Sequence, residues 1–379
     1  MKFVRNWGRL DMKFKRYTLS ELVTIKYGKN QKKVLSERGN IPIYGTGGLM
    51  GHATTALYDK PSVLIGRKGT IGKVKYVEHP FWTVDTLFYT IVNTDIVLPK
   101  YLYYVMSLVD LNNYNEGTTI PSLRTETLKR LEFDIPSLEE QKITLSCLSP
   151  IDEKIEINKA INNNLEQQAQ AIFSNEFLTL ETLPDGWKQA SLIDVADYLN
   201  GLAMQKYRPT ADETGIPVLK IKELRQGCCD NNSEMCSPNI KSEYIIHDGD
   251  VIFSWSGSLL VDFWCGGICG LNQHLFKVSS SKYDKWFYYA WTKHHLDRFI
   301  AVAADKATTM GHIKRDELAK AEVLIPTEAD YNRIGALLQP IYDLIIANRI
   351  ENKKLAETRD SLLPRLMSGE IDISEVDYE

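Results

Sequence analysis

A glycine-rich loop in the first third of the chain concentrates side chains suited to contact phosphate groups or base edges. Residues 66–73 read Gly-Arg-Lys-Gly-Thr-Ile-Gly-Lys. Glycine lets the backbone approach a partner closely, and arginine and lysine neutralise phosphates or donate hydrogen bonds to guanine. The loop therefore places three cations, Arg67, Lys68 and Lys73, where they could meet phosphates or guanine edges.

A nucleotide-binding P-loop is the other interpretation of this segment, and it fails on spacing. That motif places four residues between its glycines and continues with lysine and then serine or threonine. Here five residues separate Gly66 from Gly72, and Val74 follows Lys73. We therefore expect no nucleoside triphosphate at this loop.

The sequence lacks the motifs that carry catalysis. It has no Asn/Asp-Pro-Pro-aromatic tetrad of an amino-methyltransferase, no His-Glu-x-x-His and no Gly-x-Ser-x-Gly. No pair of Cys-x-x-Cys knuckles occurs, so the cysteines are expected to be free thiols. The six are Cys147, Cys228, Cys229, Cys236, Cys265 and Cys269. We predict no catalytic residue and no metal or cofactor bound by this chain.

The two halves of the chain are copies of one another. Residues 117–136 match residues 307–326 at an offset of 190, and residues 62–70 match residues 250–258 at an offset of 188. Individual matched pairs are Thr118 with Thr308, Thr119 with Thr309, and Gly28 with Gly201. Small changes of offset indicate loop insertions. The chain is therefore a tandem duplication in which each copy is a globular domain followed by a helical segment.

Each helical segment opens on a capping signal. Ser137 is followed three residues later by Glu140, which fits a capping box, and Thr327 with Asp330 is a weaker version of it. We also expect a second helix to begin at Pro150 and its counterpart at Pro340, because proline suits the first helical turn.

Beyond these prolines, apolar and asparagine residues recur in alternating steps of four and three, the period of a coiled-coil seam. The predicted seam consists of Ile151, Ile155, Asn158, Asn162 and Leu165, and of Ile341, Ile345, Asn348, Asn352 and Leu355. The alternative is that the asparagines face solvent on ordinary amphipathic helices. Their mirrored placement favours the seam, which predicts an antiparallel coiled coil about 40 Å long at roughly 1.5 Å per residue.

The globular domains mix strands and helices. Residues 41–53, 61–77 and 81–92 of the first copy alternate in hydrophobicity and are rich in β-branched and aromatic residues, which predicts strands. Residues 100–110 predict a helix. The expected fold class is α/β (α+β), with two tandem domains built on small curved β-sheets and separated by two long helices in a pseudo-two-fold arrangement.

Charge is distributed unevenly along the chain. The total is −4, but residues 1–138 sum to +8 and residues 187–327 to −1, whereas the two helical stretches, 139–186 and 328–379, sum to −6 and −5. Such blocks indicate surfaces that face different partners, although a random surface is the alternative. The sequence has no run of about 18 apolar residues and no secretory signal, so we expect a cytoplasmic protein that spans no membrane.

The second copy replaces the cationic loop with Ser254-Trp255-Ser256-Gly257-Ser258. A surface that contacts only phosphates should look the same in both copies, whereas a surface that reads bases should differ. The divergence on a shared scaffold therefore indicates sequence recognition, although a degenerate duplicate would look similar.

Four motifs follow one another along the chain: Ile-Pro-Ile-Tyr-Gly-Thr-Gly-Gly, Leu-Ile-Gly-Arg-Lys-Gly-Thr-Ile-Gly, Thr-Val-Asp-Thr-Leu-Phe and Ile-Pro-Ser-Leu-Glu-Glu-Gln-Lys-Ile. In this order they resemble the DNA specificity (S) subunits of type I restriction–modification systems. Residues 362–371, Leu-Leu-Pro-Arg-Leu-Met-Ser-Gly-Glu-Ile, are also typical of that family. The resemblance covers roughly residues 15–372.

The resemblance implies two target-recognition domains that each read one half of a bipartite site in double-stranded DNA, with the helices setting the spacer. It also implies partners: two methyltransferase (M) subunits that carry S-adenosylmethionine (AdoMet), and restriction (R) subunits that use ATP and Mg²⁺. The implied boundaries are 13–136 for the first domain, 137–181 for the central helical spacer, 182–326 for the second domain and 327–370 for the C-terminal helical spacer.

By the same resemblance, five loops are expected to contact DNA. In the first copy their residues are Arg67, Lys68, Thr70, Lys73, Thr118, Thr119 and Arg124. In the second copy they are Ser254, Ser256, Ser258, Asn272, Gln273, His274, Thr308, Thr309, Lys314 and Arg315. Two rival functions stay open: a scaffold with duplicated peptide-binding domains, and the specificity part of a standalone DNA methyltransferase.

Overall fold

The computed structural model describes residues 13–305 and 313–373. Contacts divide the chain into two compact units: unit 1 comprises residues 1–152 and 357–379, and unit 2 comprises residues 153–356. Each unit holds one of the duplicated globular domains together with part of both long helical segments. Among the described residues, no helix is both long enough and apolar enough to cross a bilayer.

Unit 1 is built around a four-stranded antiparallel sheet of order β2-β8-β5-β6. A second sheet, β4-β3-β7, pairs β3 and β7 in parallel, and β1 pairs with β9. The strands are β1 (Lys15–Thr18), β2 (Val23–Tyr27), β3 (Ile41–Gly45), β4 (Gly48–Ala53), β5 (Ser62–Gly66), β6 (Val74–Val77), β7 (Trp82–Thr83), β8 (Leu87–Val92) and β9 (Glu132–Ile135), and the short helices are α1 (Leu19–Leu22), α2 (Pro99–Ser107) and α3 (Thr125–Lys129).

Unit 2 repeats this plan with the sheet order β11-β18-β15-β16 and a second sheet, β13-β12-β17-β14. Its strands are β10 (Lys188–Ser191), β11 (Asp197–Asn200), β12 (Ile216–Leu219), β13 (Met235–Cys236), β14 (Ile245–Ile246), β15 (Val251–Ser254), β16 (Leu260–Phe263), β17 (Cys269–Leu271), β18 (Leu275–Ser279) and β19 (Glu322–Ile325). The shorter helices are α5 (Leu192–Val195), α6 (Ile221–Gln226), α7 (Lys285–His294), α8 (Leu296–Asp305) and α9 (Arg315–Ala319).

The predicted strands and helix of the first copy are found where the sequence pattern placed them. Residues 41–53, 61–77 and 81–92 contain β3 to β8, and the helix predicted over 100–110 is α2, which ends earlier, at Ser107. Burial explains the pattern, because every residue of β5 is buried. Tyr101 and Leu102 of α2 belong to the same hydrophobic core as Val63 and Ile65 of β5.

The duplication extends to individual backbone contacts. The amide of Gly28 donates to the Leu87 carbonyl over 3.0 Å, and the amide of Gly201 donates to the Leu275 carbonyl over 3.0 Å. A Cβ at Gly28 would lie 2.0 Å from the oxygen of Val84, and one at Gly201 would lie 2.2 Å from that of Asn272. Neither position can hold a side chain without moving backbone. These equivalent contacts confirm the tandem duplication.

The two long helices are α4 (Leu138–Phe173), which continues into a π-helical turn (Ser174–Leu178), and α10 (Glu328–Met367). The expected capping box is present at the start of α4, where the Glu140 amide donates to Ser137 Oγ and the Ser137 amide donates to Glu140 Oε2. At α10 the Asp330 amide donates to Thr327 Oγ1. The Asp330 carboxylate also accepts from the indole of Trp187, so its capping role is shared.

The prediction that new helices begin at Pro150 and Pro340 is wrong, because both prolines lie inside continuous helices. A proline in a helix interior removes one hydrogen bond and costs about 3 kcal/mol. Leu148 is fully buried just before Pro150, and Leu338 and Tyr342 are buried on either side of Pro340. Burial of these apolar neighbours stabilises the helical backbone enough to carry it through each proline.

We predict that Gly28→Ala lowers the free energy of unfolding by about 1–3 kcal/mol, the usual effect of inserting a methyl group into filled space. Thermal unfolding of the purified chain measures the change. Gly47→Ala is the matched control, since a Cβ at Gly47 meets nothing within 4 Å. Equal melting temperatures for the two variants would show that the close approach at Gly28 is not needed.

Candidate nucleic-acid interface

Two loops that the sequence nominated separately lie side by side in unit 1. The loop between β5 and β6 carries Lys68, which forms an isolated antiparallel bridge with Ser122. The Gly69 amide donates to the Pro121 carbonyl, and the Leu123 amide donates to the Arg67 carbonyl, each over 2.9 Å. Backbone hydrogen bonds therefore join residues 66–73 and 117–124 into one surface, which we call the paired loops.

The cations of the paired loops differ in how tightly they are held. The Arg67 guanidinium donates to the Asp85 carbonyl over 2.7 Å and lies 5.1 Å from the ring centroid of Tyr27. Arg124 is exposed, and its Nε lies 3.1 Å from a carboxylate oxygen of Glu116. Lys68 and Lys73 are exposed, and no ion pair within residues 13–305 and 313–373 engages them. These two lysines are therefore the cations best placed to meet phosphate.

Thr70, Thr118 and Thr119 are also exposed on the paired loops. Their hydroxyl groups can donate to or accept from a nucleic acid. Tyr27, which is 52% exposed beneath Arg67, was missed by the sequence analysis. Tyr27 precedes Gly28, the glycine at which the backbone packs closely against Val84. Its position next to that glycine is the sequence feature that could have identified it.

Three of the predicted contacts in unit 2 are buried instead. Ser254 is fully buried and donates to the Ser258 carbonyl over 2.9 Å, and Ser256 and Asn272 are 4% and 5% exposed. Ser256 Oγ lies 3.1 Å from Nδ1 of His274. These small polar side chains satisfy buried polar groups of the loops. Their burial leaves little surface for DNA, and the contacts of Ser254, Ser256 and Asn272 stay predictions from the sequence.

The other nominated residues of unit 2 are placed differently. His274 is exposed and Gln273 is half-buried, while Ser258 is half-buried and hydrogen bonded to Arg225. Lys314 is exposed, and the Arg315 guanidinium donates to the Tyr198 carbonyl over 3.2 Å. Thr308 and Thr309 lie outside the described residues.

Trp255 occupies in unit 2 the position that Arg67 occupies in unit 1. The sequence analysis did not include it among the predicted DNA contacts. The Ile313 amide donates to the Trp255 carbonyl over 3.0 Å, as the Leu123 amide donates to Arg67 in unit 1. The indole stacks on Phe276, with ring centroids 5.6 Å apart, and donates to Asn200 Oδ1 over 3.0 Å. The signal was the offset of 188, which places Trp255 opposite Arg67.

A surface pocket of about 600 Å³ opens beside this indole. Its wall combines aromatic rings with cations and one amide. The lining residues are Tyr198, Leu199, Asn200, Tyr244, Trp255, Phe276, Ile313, Lys314 and Arg315. Stacking between aromatic rings and bases is worth about 1–3 kcal/mol per base, so this pocket favours a π-stacking contact where unit 1 favours an electrostatic one.

The cysteines of unit 2 take no part in such a surface. All six cysteines of the chain are free, and the described residues contain no cluster of His, Cys, Asp or Glu able to hold a metal ion. Burial raises the pKa of the Cys229, Cys236 and Cys265 thiols to about 11. These thiols are therefore protonated at neutral pH, which suits packing rather than ligation or nucleophilic attack.

Within unit 2, α4 and α10 pair through asparagines. Asn158 Nδ2 donates to Asn352 Oδ1 over 2.9 Å, and Asn348 Nδ2 donates to Asn162 Oδ1 over 2.8 Å. Residue numbers rise along one helix as they fall along the other, so the pair is antiparallel. Asn158 is 1% exposed, Asn162 6% and Asn348 9%, which excludes the alternative that these asparagines face solvent. We call these four residues the asparagine ladder.

Apolar and charged side chains flank the ladder. The remaining predicted seam positions are buried or half-buried: Ile151, Ile155, Leu165, Ile341, Ile345 and Leu355. Asn158 also donates to Glu351, and this hydrogen bond lowers the pKa of the Glu351 carboxyl. Arg349 bridges Glu166 of α4 and Asp262 of β16. The helix pair is thereby fixed to the globular part of unit 2 as well as to itself.

The sequence matches the family described as "Type I restriction modification DNA specificity domain" over residues 12–167 and again over residues 184–357. It is 27% identical over 349 residues to the type I restriction enzyme MjaIX specificity subunit of Methanocaldococcus jannaschii, covering 84% of this chain and 80% of that protein. It is 21% identical over 385 residues to the HindI specificity subunit of Haemophilus influenzae, covering 79% of this chain and 84% of that one.

The fold is similar to the crystal structure of the S subunit of a type I restriction–modification system from M. genitalium. The TM-score is 0.57 at 16% sequence identity, over 97% of this chain and 98% of that chain. The likeness supports the two tandem α+β domains and the long helices, because it extends over nearly the full length of both chains.

We predict that Asn162→Leu alone destabilises the helix pair by about 1–3 kcal/mol, because it leaves the buried amide of Asn348 without its partner. The double variant Asn162→Leu/Asn348→Leu should recover that stability, since both polar groups are replaced by apolar ones. Urea unfolding followed by helical circular dichroism measures both. Asn163→Leu, at an exposed position, is the control. Equal losses in the single and double variants would contradict pairing across the ladder.

Proposed function

The chain belongs to the type I restriction–modification DNA specificity family, and from this membership we propose how its parts divide the recognition of DNA. It is a specificity subunit, as are its named relatives, and it is not itself a catalyst. We propose that each globular domain reads one half of a bipartite site in double-stranded DNA and that α4 and α10 set the spacer between the halves.

The observation that carries this proposal is the repeated scaffold with unlike side chains. The same backbone hydrogen bond, Leu123 to Arg67 in unit 1 and Ile313 to Trp255 in unit 2, holds a cation in one domain and an indole in the other. Two domains that bound the same feature of DNA would have no need of different side chains at an equivalent point. Two domains that read different half-sites would.

We propose that catalysis is supplied by partners. Two methyltransferase subunits would dock on the helical segments and bring S-adenosylmethionine, and restriction subunits would bring ATP and Mg²⁺ chemistry. Residues 139–186 sum to −6, a charge that repels phosphate and suits a protein partner. The −5 of residues 328–379 comes from residues 368–379, because α10 carries six basic and six acidic residues. We also propose that the protein works in the cytoplasm, where such complexes would meet chromosomal DNA.

The contact residues that we propose in unit 1 are Lys68, Thr70, Lys73, Thr118 and Thr119, with Arg67 held in place by Tyr27 and Arg124 by Glu116. In unit 2 we propose Lys314 and Arg315, which line the Trp255 pocket, together with His274, whose ring centroid lies 6.2 Å from that of Trp255, and its neighbour Gln273. Thr308 and Thr309 stay a prediction from the sequence.

We predict that Lys68→Ala with Lys73→Ala weakens DNA binding by the assembled methyltransferase. The slope of log affinity against log salt concentration should become shallower by about 1 per lysine, because a complex with fewer phosphate contacts releases fewer counterions when it binds. Titration of a fluorescent duplex at several salt concentrations measures the slope. Lys142→Ala removes one charge from α4, where Lys142 pairs with Glu139, and should leave the slope unchanged. A wild-type complex whose binding ignores salt would favour a peptide-binding scaffold instead.

We predict that one extra heptad in each long helix lengthens the spacer between half-sites by about three base pairs. Seven residues add about 10.5 Å at 1.5 Å per residue, and one base pair rises about 3.4 Å. The insertions belong between Asn158 and Asn162 in α4 and between Asn348 and Asn352 in α10, so that both ladder pairs persist. Sequencing of methylated adenines in a host that expresses the complex reports the spacer. An unaltered spacer would show that the helices do not set its length.

A further inference from the structure

Residues 118–120, in the second of the paired loops, have a close match in the sequence of the other copy, unlike the residues of the loop beside them. Residues 118–120 read Thr-Thr-Ile and residues 308–310 read Thr-Thr-Met, whereas residues 67–68 and 255–256 read Arg-Lys and Trp-Ser. On the function proposed above, a segment shared by domains that read different half-sites performs work that does not depend on base sequence. The two segments share two threonine hydroxyl groups and one apolar side chain, which is branched in Ile120 and unbranched in Met310.

In unit 1, hydrogen bonds close the loop that carries residues 118–120. Oδ1 of Asn115 accepts from both the Gly117 amide and the Ser122 amide, each over 2.9 Å, and so closes the loop at its base. The Glu116 amide donates to the Ser122 carbonyl over 2.9 Å. A Cβ on Gly117 would lie 1.9 Å from the oxygen of Ile120, so only glycine allows the turn to be this tight.

The tip of this loop exposes an apolar side chain. Ile120 is 59% exposed, and Thr118, Thr119 and Pro121 around it are exposed as well. Lys68 is bridged to Ser122 at the foot of the same loop. The isoleucine therefore stands at the end of a braced loop, beside an exposed cation, in the stretch of the chain that sums to +8.

We propose that Ile120 is an apolar wedge that enters a groove of duplex DNA and opens a base step, with Asn115 as the residue that positions it. Isoleucine, methionine and proline are among the side chains that proteins insert between base pairs to bend DNA. The exposed Lys68 at the foot of the loop and the net charge of +8 over residues 1–138 fit DNA as the occupant, because positive charge attracts phosphate. This inference rests on the function proposed above and adds sequence-independent deformation to base reading.

The test uses the complete specificity–methyltransferase complex and a short duplex that carries its site, with dyes at the two ends. Ile120→Ala should reduce affinity about tenfold, as expected for losing most of one buried isoleucine side chain, and should lengthen the end-to-end distance. The salt slope should not change, because no phosphate contact is lost. Ile91→Ala is the matched control: Ile91 is 37% exposed on β8, at the end of that strand away from Leu87 and the paired loops.

A second variant tests the positioning role without relying on DNA. Asn115→Ala should speed hydrogen exchange of the Gly117 and Ser122 amides in the free chain, because both lose their acceptor, and it should straighten the bound duplex as Ile120→Ala does. Unchanged exchange at these amides would remove Asn115 from the proposal. Faster exchange together with an unchanged bend would overturn the claim that the tip deforms DNA.

The remaining outcomes separate the wedge from its rivals. If Ile120→Ala loses its effect on duplexes with uracil in place of thymine, the side chain reads a thymine methyl group and the wedge is wrong. If Ile120→Ala separates the methyltransferase subunit from the complex, the tip is a protein contact and the wedge is again wrong. A wild-type complex that fails to bind any duplex would instead contradict the proposed function. Failure of the wedge proposal and failure of the proposed function therefore give different results.

Discussion

The buried amides of the asparagine ladder fix how α4 and α10 pair in unit 2. An amide that loses water on burial must find a partner of matching geometry, and here each of two asparagines on α4 finds one on α10. A shift of one helix by a turn would separate both pairs at once. Apolar residues along the same seam would tolerate such a shift, because leucine and isoleucine pack without direction. The ladder therefore selects one register out of several that hydrophobic burial alone would allow.

Register matters because the globular part of unit 2 is attached to the same helices. Arg349 bonds Asp262 of β16 and Glu166 of α4 together, and Tyr342 belongs to the core that contains Phe263 and Tyr289. If the register changed, these contacts would break with the ladder. Asn158 Oδ1 has no hydrogen-bond partner within the described residues, which is a cost that an apolar pair would not carry. The arrangement gives up some stability for a single geometry.

The parts of the structure that were predictable are those governed by local periodicity. Alternation located β3 to β8, and the steps of four and three located the seam. Pro150 and Pro340 were misjudged because the cost of an interior proline is local, whereas the burial of Leu148, Leu338 and Tyr342 that outweighs it depends on the rest of the fold. Ser254 could not be assigned as buried from the sequence for the same kind of reason. Its exposure is decided by loops that close over it, and no spacing in the sequence reports that closure.

The net charge of −4 does not show which cations are already paired with carboxylates inside each unit. In unit 2 many are already paired with carboxylates: Lys220 with Glu234, Lys222 with Asp230 and Lys277 with Asp250. In unit 1 Lys68 and Lys73 are exposed on the paired loops, outside any ion pair of the described residues. A cation paired within the protein attracts phosphate less strongly, so on the proposed function unit 2 relies more on its aromatic pocket. Stacking depends weakly on salt and cation–phosphate attraction depends on it steeply. On the proposed function, the affinity of unit 1 for its half-site therefore falls first as ionic strength rises.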